Sequence, residues 1–152
     1  HSLDRRQRQM CIRDSMKIAG LDGQLLKQAW AEGAEAYLGL TVSGFPNMFM
    51  LYGPNTNLGH NSIIYMLQSQ IEYILDAVQK MKGANLRFLN LRKNVQDEFN
   101  REIQERMKST VWAQGCTSWY QTDTGKNTNN WPGSTLEYRK RTGRLNLVHY
   151  AI

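Results

Sequence analysis

The chain of 152 residues is poor in cysteine and has no long apolar run, and each shortage excludes a class of protein. Cys11 and Cys116 cannot form a disulfide framework, and neither belongs to a Cys-x-x-Cys pair. His60 and His149 lie far apart, so no zinc-binding spacing is present. No apolar stretch approaches the roughly 18 residues that a transmembrane helix needs. We therefore expect no membrane span and no metal site, and we expect a reducing, cytoplasmic setting.

The glycines also lack a pattern that nucleotide-binding proteins use. None of the 12 glycines falls at the Gly-x-Gly-x-x-Gly spacing of a dinucleotide-binding turn. The net charge of +6 is concentrated at the two ends of the chain, including Arg139, Lys140, Arg141 and Arg144. We interpret these basic ends as solvated surface and expect no nucleic-acid partner, because aromatic residues do not alternate with the basic ones. A basic binding module remains the alternative.

The most informative stretch is an unbroken apolar run at 48–52, which stops at Gly53 and Pro54. We predict a buried strand over 47–52, because strands covered on both faces read as continuous apolar runs. A loop rich in Asn and Gly then leads into a predicted helix over 61–81. A turn between such a strand and a helix start is where open α/β sheets bind cofactors, although an ordinary strand–turn–helix joint has the same pattern.

Apolar residues recur at intervals of three and four along the predicted helix, which Asn61 or Ser62 can cap. The expected core-facing stripe is Ile63, Leu67, Ile71, Ile74, Val78 and Met81. A strand is predicted at 86–91 and an extended segment at 37–42. A second helix is predicted with Asn94 as its N-cap residue and with its core-facing stripe at Val95, Phe99, Ile103 and Met107.

Residues 1–15 differ from the rest of the chain. They are basic and show no period, and the string Arg-Gln-Met-Cys-Ile-Arg-Asp-Ser resembles translated sequencing-adapter DNA. We interpret 1–15 as an artefact or a disordered tail, and 16–152 as the part that folds.

Several short motifs in one order resemble the C-terminal part of flavin-dependent monooxygenases of the Baeyer–Villiger type. They include Gly-Phe-Pro-Asn-Met-Phe at 44–49 and Tyr-Gly-Pro-Asn-Thr-Asn-Leu-Gly-His-Asn-Ser at 52–62. Further matches are Trp30-x-x-Gly33, Tyr-Leu-Gly-Leu-Thr at 37–41 and Cys-Thr-Ser-Trp-Tyr at 116–120. Gly-Lys-Asn-Thr at 125–128 and Trp-Pro-Gly at 131–133 follow. Each motif is short, and their number and order carry the resemblance over roughly residues 16–150.

The resemblance implies an α/β fold, in which this chain is the return segment of an FAD-binding domain with an incomplete sheet. It implies a parent enzyme that uses NADPH and FAD to insert one oxygen atom from O₂ into a ketone, or to oxidise a heteroatom, through a C4a-peroxyflavin. The two glycine-rich turns that such an enzyme needs are absent from this chain. We therefore expect a fragment that is inactive by itself. A non-catalytic module that associates with a separate flavoprotein chain is a further alternative.

The resemblance also assigns site residues. Gly53 and Pro54, with Asn61, Ser62 and Ile63, are expected beside the pyrimidine edge of FAD, where backbone N–H groups can stabilise negative charge. Leu58, Gly59 and His60 are expected to line the substrate pocket.

His60 could transfer protons, but a polar lining role fits a loop histidine better. Trp119 is expected to contact the nicotinamide cofactor, with a buried core position as the alternative. Cys116 has no base beside it in the sequence pattern, and we expect a structural thiol. No catalytic residue is expected within this chain.

Overall fold

A computed structural model describes residues 16–58, 62–110 and 125–152 of the chain. Its helices are α1 (Leu26–Ala29), α2 (Ile63–Gly83), α3 (Lys93–Lys108) and α4 (Thr135–Thr142). Two short strands, β1 (Asn90–Leu91) and β2 (Tyr150–Ala151), form an antiparallel pair. Single 3-10 turns lie at Leu21–Gly23 and Leu147–His149. The segment 1–15 lies outside the described residues, so its interpretation stays a prediction.

Helix α2 confirms the predicted helix but not the predicted core-facing stripe. Its last turn carries Lys80 and Lys82, and it ends at Gly83. The buried face consists of Met66, Tyr73 and Ala77 with Ser69 and Gln70. Of the predicted stripe, Ile71 and Val78 are exposed, while Ile74 and Met81 lie at the edge of the core. The prediction failed because this helix has apolar residues on two faces, and period alone does not say which face is covered.

Helix α3 confirms its predicted stripe. Phe99, Ile103 and Met107 are buried, and Val95 packs against them from the first turn. The helix begins one residue before Asn94, with Arg92 at the N-cap position and no side-chain cap. The predicted Asn94 cap is therefore wrong, although the helix itself lies where the pattern places it.

The predicted strand at 47–52 is wrong for the part of the chain that the structure describes. Met50 donates its backbone N–H to Leu40 O at 2.8 Å, but the run forms no ladder, and Leu51 is exposed. A strand needs a neighbouring strand for its hydrogen bonds, and the residues that the structure describes supply none at that position. The strand predicted at 86–91 is reduced to Asn90–Leu91, which pairs with Tyr150–Ala151.

The segment at 37–42 folds as a tight turn rather than an extended strand. Tyr37 and Thr41 form an antiparallel bridge around Leu38 and Gly39, whose φ angles are 53° and 65°. Gly39 suits the left-handed conformation because it has no Cβ. The turn places Leu38 and Leu40 in the main core.

One apolar core joins the long helices. Helices α2 and α4 pack against each other, and the largest buried side chains include Trp131, Tyr73, Tyr138 and Tyr150. A smaller cluster of Leu26, Ala36, Val42 and Phe45 lies under the N-terminal turns. The fold is thus a mixed α/β arrangement with a minimal sheet, as the predicted incomplete sheet requires.

Candidate functional site

The loop at 53–58 leads to the start of α2, and Gly53 allows its first bend. A Cβ on Gly53 would collide with the carbonyl oxygen of Gly39 in the neighbouring tight turn. A Cβ on Gly39 would in turn collide with Thr56 and with Pro54 O. The two glycines therefore let two backbone turns touch. Gly53 and Pro54 are both buried, so packing within this chain already requires a glycine at 53.

A cluster of asparagine amides, of which all but Asn57 are buried, fastens the same loop to the segment at 125–131. Asn55 Nδ2 donates to Asn127 O at 2.8 Å and to Asn130 O at 3.1 Å, and Asn55 N donates to Thr128 O at 2.9 Å. Asn57 bridges to Asn130 in parallel register. Asn55 has a φ of 57°, a left-handed conformation that asparagine tolerates better than most residues. We call Asn55, Asn57, Asn127 and Asn130 the amide cluster.

Helix α2 holds the loop from the other side through Gln70. The Gln70 side chain is fully buried, and its Oε1 accepts the backbone N–H of Tyr52 at 3.0 Å. Its Nε2 donates to the Tyr138 hydroxyl at 2.8 Å, which donates to Leu38 O at 2.6 Å. A buried polar network in which each member is paired rigidifies what it joins. The loop ahead of α2 is therefore fixed to α2, to α4 and to the tight turn at 37–41.

The start of α2 is only partly described. Ser62 is exposed and occupies the N-cap position without a side-chain capping hydrogen bond, and Ile63 is half-buried. Gly59, His60 and Asn61 lie outside the described residues, as do Cys116 and Trp119. Leu58 packs into the main core with 8% of its surface exposed. Of the assigned residues the structure thus describes Gly53, Pro54, Leu58, Ser62 and Ile63, and the roles assigned to them stay predictions.

Charged side chains form a second cluster between α3 and α4. Arg106 makes a two-pronged ion pair with Glu137, at 2.5 and 2.8 Å, and Arg141 pairs with Glu102. Both guanidinium groups lie over the Trp131 ring, at 5.7 and 5.6 Å from its centroid. Hydrogen bonds from Arg141 hold the pKa of Glu102 below its usual range against the effect of burial, and Arg106 does the same for the pKa of Glu137.

Two of the C-terminal arginines, Arg139 and Arg141, are engaged in ion pairs within the fold. Arg139 pairs with Glu72 of α2 at 2.9 Å and lies over the Tyr65 ring, while Arg141 is held by Glu102. Neutralised guanidinium groups attract phosphates less than free ones do. Two of the four cationic side chains on which the alternative of a basic binding module depends are therefore already paired with carboxylates.

Buried tyrosines link β2 to α2 and to the tight turn, a network that the sequence pattern did not indicate. The Tyr73 and Tyr150 hydroxyls lie 2.8 Å apart, and Tyr150 also contacts Thr41 Oγ1 at 3.2 Å. Burial, reinforced by Tyr150, raises the pKa of Tyr37 to about 12, and burial likewise raises the pKa of Tyr73. These phenols stay protonated at neutral pH and act as hydrogen-bonding core residues.

Two kinds of site are not found in the described part of the chain. Its His, Cys, Asp and Glu residues form no group of three or more suited to a metal ion. No described helix is both long enough and apolar enough to cross a bilayer.

Comparisons with known proteins give the relationship directly, although no family model matches the chain. A Baeyer–Villiger monooxygenase of Pseudomonas aeruginosa is 44% identical over 135 residues, which cover 88% of this chain and 26% of the relative. A Baeyer–Villiger monooxygenase of Streptomyces coelicolor is 42% identical over 138 residues, which cover 90% of this chain and 27% of that relative.

A solved structure points to the same family as these sequence relatives. The fold matches OTEMO, solved in complex with FAD and NADP, with a TM-score of 0.73 and 30% identity, over 86% of this chain and 24% of that one. The chain thus spans about a quarter of the length of the proteins that it matches. It belongs to the flavin monooxygenases, as a fragment of a protein whose relatives are Baeyer–Villiger monooxygenases.

Proposed function

We infer that the parent protein is an FAD- and NADPH-dependent monooxygenase of the cytoplasm. It inserts one oxygen atom from O₂ into a small organic ketone or oxidises a heteroatom. The observation that carries this proposal is the match over 88% of the chain to a Baeyer–Villiger monooxygenase at 44% identity. The likeness of the fold to a protein solved with FAD and NADP supports it.

Within that enzyme, the start of α2 is proposed to face the flavin. The first N–H groups of a helix have no acceptor within the helix itself, and the helix dipole favours negative charge there, so a helix start suits an electron-rich ligand. When bound, FAD supplies the redox chemistry, passing electrons from NADPH to O₂. The contribution of this chain is to hold N–H groups of Asn61, Ser62 and Ile63 towards the pyrimidine edge.

The fixed loop ahead of α2 supports that role. Electrostatic stabilisation is strong when donors are preorganised, because no reorganisation is needed when charge develops. Gly53 and Pro54 form the bend, Asn55 fastens the loop to the segment at 127–130, and Gln70 fastens it to α2. The residues present therefore fit a cofactor that needs a rigid helix start.

Other parts of the chain are proposed to reach the substrate and the nicotinamide. Leu58, Gly59 and His60 would line the substrate pocket, with His60 as polar lining rather than as an acid or base. Trp119 would contact NADP through its indole, which offers a large face and one N–H donor. The segment at 125–131, which follows Trp119 in sequence, is tied to the loop at 53–58 by the amide cluster.

A chimaeric enzyme tests the proposal. Residues 16–152 would replace the matching segment of the Pseudomonas aeruginosa relative, and the reaction would be run with NADPH, a cyclic ketone and ¹⁸O₂. We expect an ester or lactone that carries one ¹⁸O atom, at a rate proportional to the FAD bound. A chimaera that folds but neither retains FAD nor forms the labelled product would overturn the proposal.

The isolated chain is expected to be inactive, because it lacks both glycine-rich dinucleotide turns. Oxygen consumption measured with NADPH, added FAD and ketone should equal that of a blank without protein. Oxygen consumption that depends on both NADPH and ketone would contradict this expectation.

A further inference from the structure

Tyr52 has a left-handed backbone conformation immediately before the loop at 53–58. Its φ angle is 56°, and its side chain is half-buried. A positive φ is unfavourable for a bulky residue, because the Cβ atom crowds the backbone. Strain of this kind persists only where the surrounding structure imposes it, and it is concentrated at functional sites. The contacts of Tyr52 therefore have to supply the free energy that holds this conformation.

The buried amide of Gln70 binds the backbone of Tyr52 in a single orientation. Leu38 O can only accept a hydrogen bond, so the Tyr138 hydroxyl donates its one proton there. Gln70 must then present its Nε2 group to the Tyr138 oxygen. Its Oε1 atom is left facing Tyr52, whose backbone N–H can only donate, at 3.0 Å. Both ends of the network thus require the same orientation of the Gln70 amide.

Beyond Tyr52 the chain has little conformational freedom. Pro54 disfavours helical conformations at Gly53, and Thr56 Oγ1 donates to Gly53 O at 2.7 Å. The Tyr52 hydroxyl donates to Asn57 Oδ1 at 2.8 Å, which closes the loop on itself. Because the loop moves as one closed unit, the φ angle of Tyr52 sets the direction in which the chain enters it.

We propose that Tyr52 is a positioning residue for the flavin, held by Gln70 in its strained conformation before FAD binds. This rests on the proposed function, in which Gly53 and Pro54 lie beside the cofactor. Without the Gln70 acceptor, Tyr52 relaxes to a negative φ and the loop turns away. FAD then has to restore the strained conformation, and its apparent affinity falls with the fraction of protein that is ready to bind.

Titration of FAD into the cofactor-free chimaera tests the proposal, with flavin fluorescence as the readout. Gln70→Met removes the acceptor and nearly keeps the volume, while Tyr138 keeps its bond to Leu38 O. Gln68→Met is the matched control, because Gln68 is an exposed glutamine on the same helix. We expect the dissociation constant of FAD to rise about tenfold in Gln70→Met, the scale of one strained residue, and to stay unchanged in Gln68→Met.

A second substitution at Tyr52 separates positioning from a general effect on folding. Glycine adopts a positive φ without strain, so Tyr52→Gly added to Gln70→Met should return the dissociation constant towards that of the unmodified chimaera. Tyr52→Phe added to Gln70→Met loses only the hydroxyl and should not restore it. If Gln70 only stabilised the fold, Tyr52→Gly would not restore FAD binding. That outcome would overturn the proposal.

Two variants that leave Gln70 in place give an independent test outside the core. Tyr52→Asn and Tyr52→Val both lose the phenol, but asparagine tolerates a positive φ and a β-branched residue does not. We expect Tyr52→Val to bind FAD more weakly than Tyr52→Asn. Equal dissociation constants would overturn the role of Tyr52 and leave the proposed function standing. An unmodified chimaera that folds without retaining FAD would overturn the proposed function, and the role of Tyr52 with it.

Discussion

At the scale of single residues, Gly53 is needed for the packing of this chain. The family resemblance implies another reason for a glycine at this position, since a glycine beside a flavin would let the backbone approach the ring closely. In the structure, a side chain at Gly53 would meet the carbonyl of Gly39. The sequence could indicate that a glycine was needed there, but not that its neighbour was the turn at 37–41, because contacts between distant turns have no local signature.

Replacing Gly53 by alanine should destabilise the chain. The added Cβ cannot be accommodated without moving two backbone turns, and we expect a loss of about 1–3 kcal/mol of unfolding free energy, as for other overpacked sites. Urea denaturation followed by circular dichroism measures it. Gly83→Ala is the matched control, because a Cβ at the end of α2 meets no atom within 4 Å. A Gly53→Ala variant as stable as Gly83→Ala would contradict the close contact.

Asn55 donates side-chain hydrogen bonds and also adopts a left-handed backbone conformation, and two substitutions separate these roles. Asn55→Gly keeps the left-handed backbone but removes the donor to Asn127 O and Asn130 O, and we expect a loss of about 1–3 kcal/mol. Asn55→Ala removes the donor and also strains the backbone, which adds roughly 1 kcal/mol. Urea unfolding should therefore rank wild type, then glycine, then alanine. An Asn55→Ala variant whose unfolding free energy is at least as high as that of Asn55→Gly would show that the positive φ at this position carries no strain.

At the scale of elements, the two long helices α2 and α3 were predictable, whereas α4 and the extent of the strands were not. The stripe of α3 has one apolar face opposite a charged face, so Phe99, Ile103 and Met107 had to be buried. Helix α2 has apolar residues on two faces, and its buried side was set by Tyr73 and Gln70, which bond to β2 and α4. The run at 48–52 is a strand by pattern, but a strand needs a hydrogen-bonded neighbour, and the described residues form no ladder with it.

The start of α2 yields a prediction about the flavin. Proline at Ile63 would remove one backbone N–H while keeping the helix, because proline is favoured at the first helical position and Ser62 is already extended there. Loss of one donor to a charged ring corresponds to roughly 1.5–3 kcal/mol, which is about 30–60 mV for a two-electron couple. We expect the reduction potential of FAD in the chimaera to fall by that amount.

The control for this prediction is Ile63→Ala, which loses the side chain but keeps the N–H group. Its flavin potential should stay close to that of the unmodified chimaera in a spectroelectrochemical titration. Equal flavin potentials in Ile63→Pro and Ile63→Ala would show that the backbone N–H of Ile63 does not contact the pyrimidine edge of the flavin.

At the scale of the whole molecule, ion pairs and hydrogen bonds join elements that are distant in sequence. Arg106 and Glu137 connect α3 to α4, and Arg139 and Glu72 connect α4 to α2. Asp76 accepts hydrogen bonds from Lys80 and from the backbone of Leu145, which outweigh burial and lower the pKa of its carboxyl. The net charge and the positions of the arginines were visible in the sequence, but their pairing depends on the fold.

These carboxylates predict how stability depends on pH. The folded-state pKa values of Asp76, Glu102 and Glu137 are lowered, so the unfolded chain binds protons first as the pH falls. Their contribution is complete above the unfolded pKa of roughly 4 and is lost as the pH falls through the folded values. The free energy of unfolding should therefore decrease between about pH 5 and pH 3.

Glu137→Gln should flatten that decrease, whereas Glu105→Gln, on the exposed face of α3, should leave it unchanged. Urea titrations at several pH values provide the measurement. A decrease as steep in Glu137→Gln as in the wild type would show that the pair with Arg106 does not couple folding to pH.

We propose that this chain is one part of a longer monooxygenase with two dinucleotide-binding domains. The most direct measurement is the uninterrupted nucleotide sequence upstream of the codon for Met16, read from single long molecules. We predict one open reading frame that encodes two Gly-x-Gly-x-x-Gly turns upstream of residues 16–152. An in-frame stop codon just upstream of Met16, with a ribosome-binding site between them, would contradict the claim.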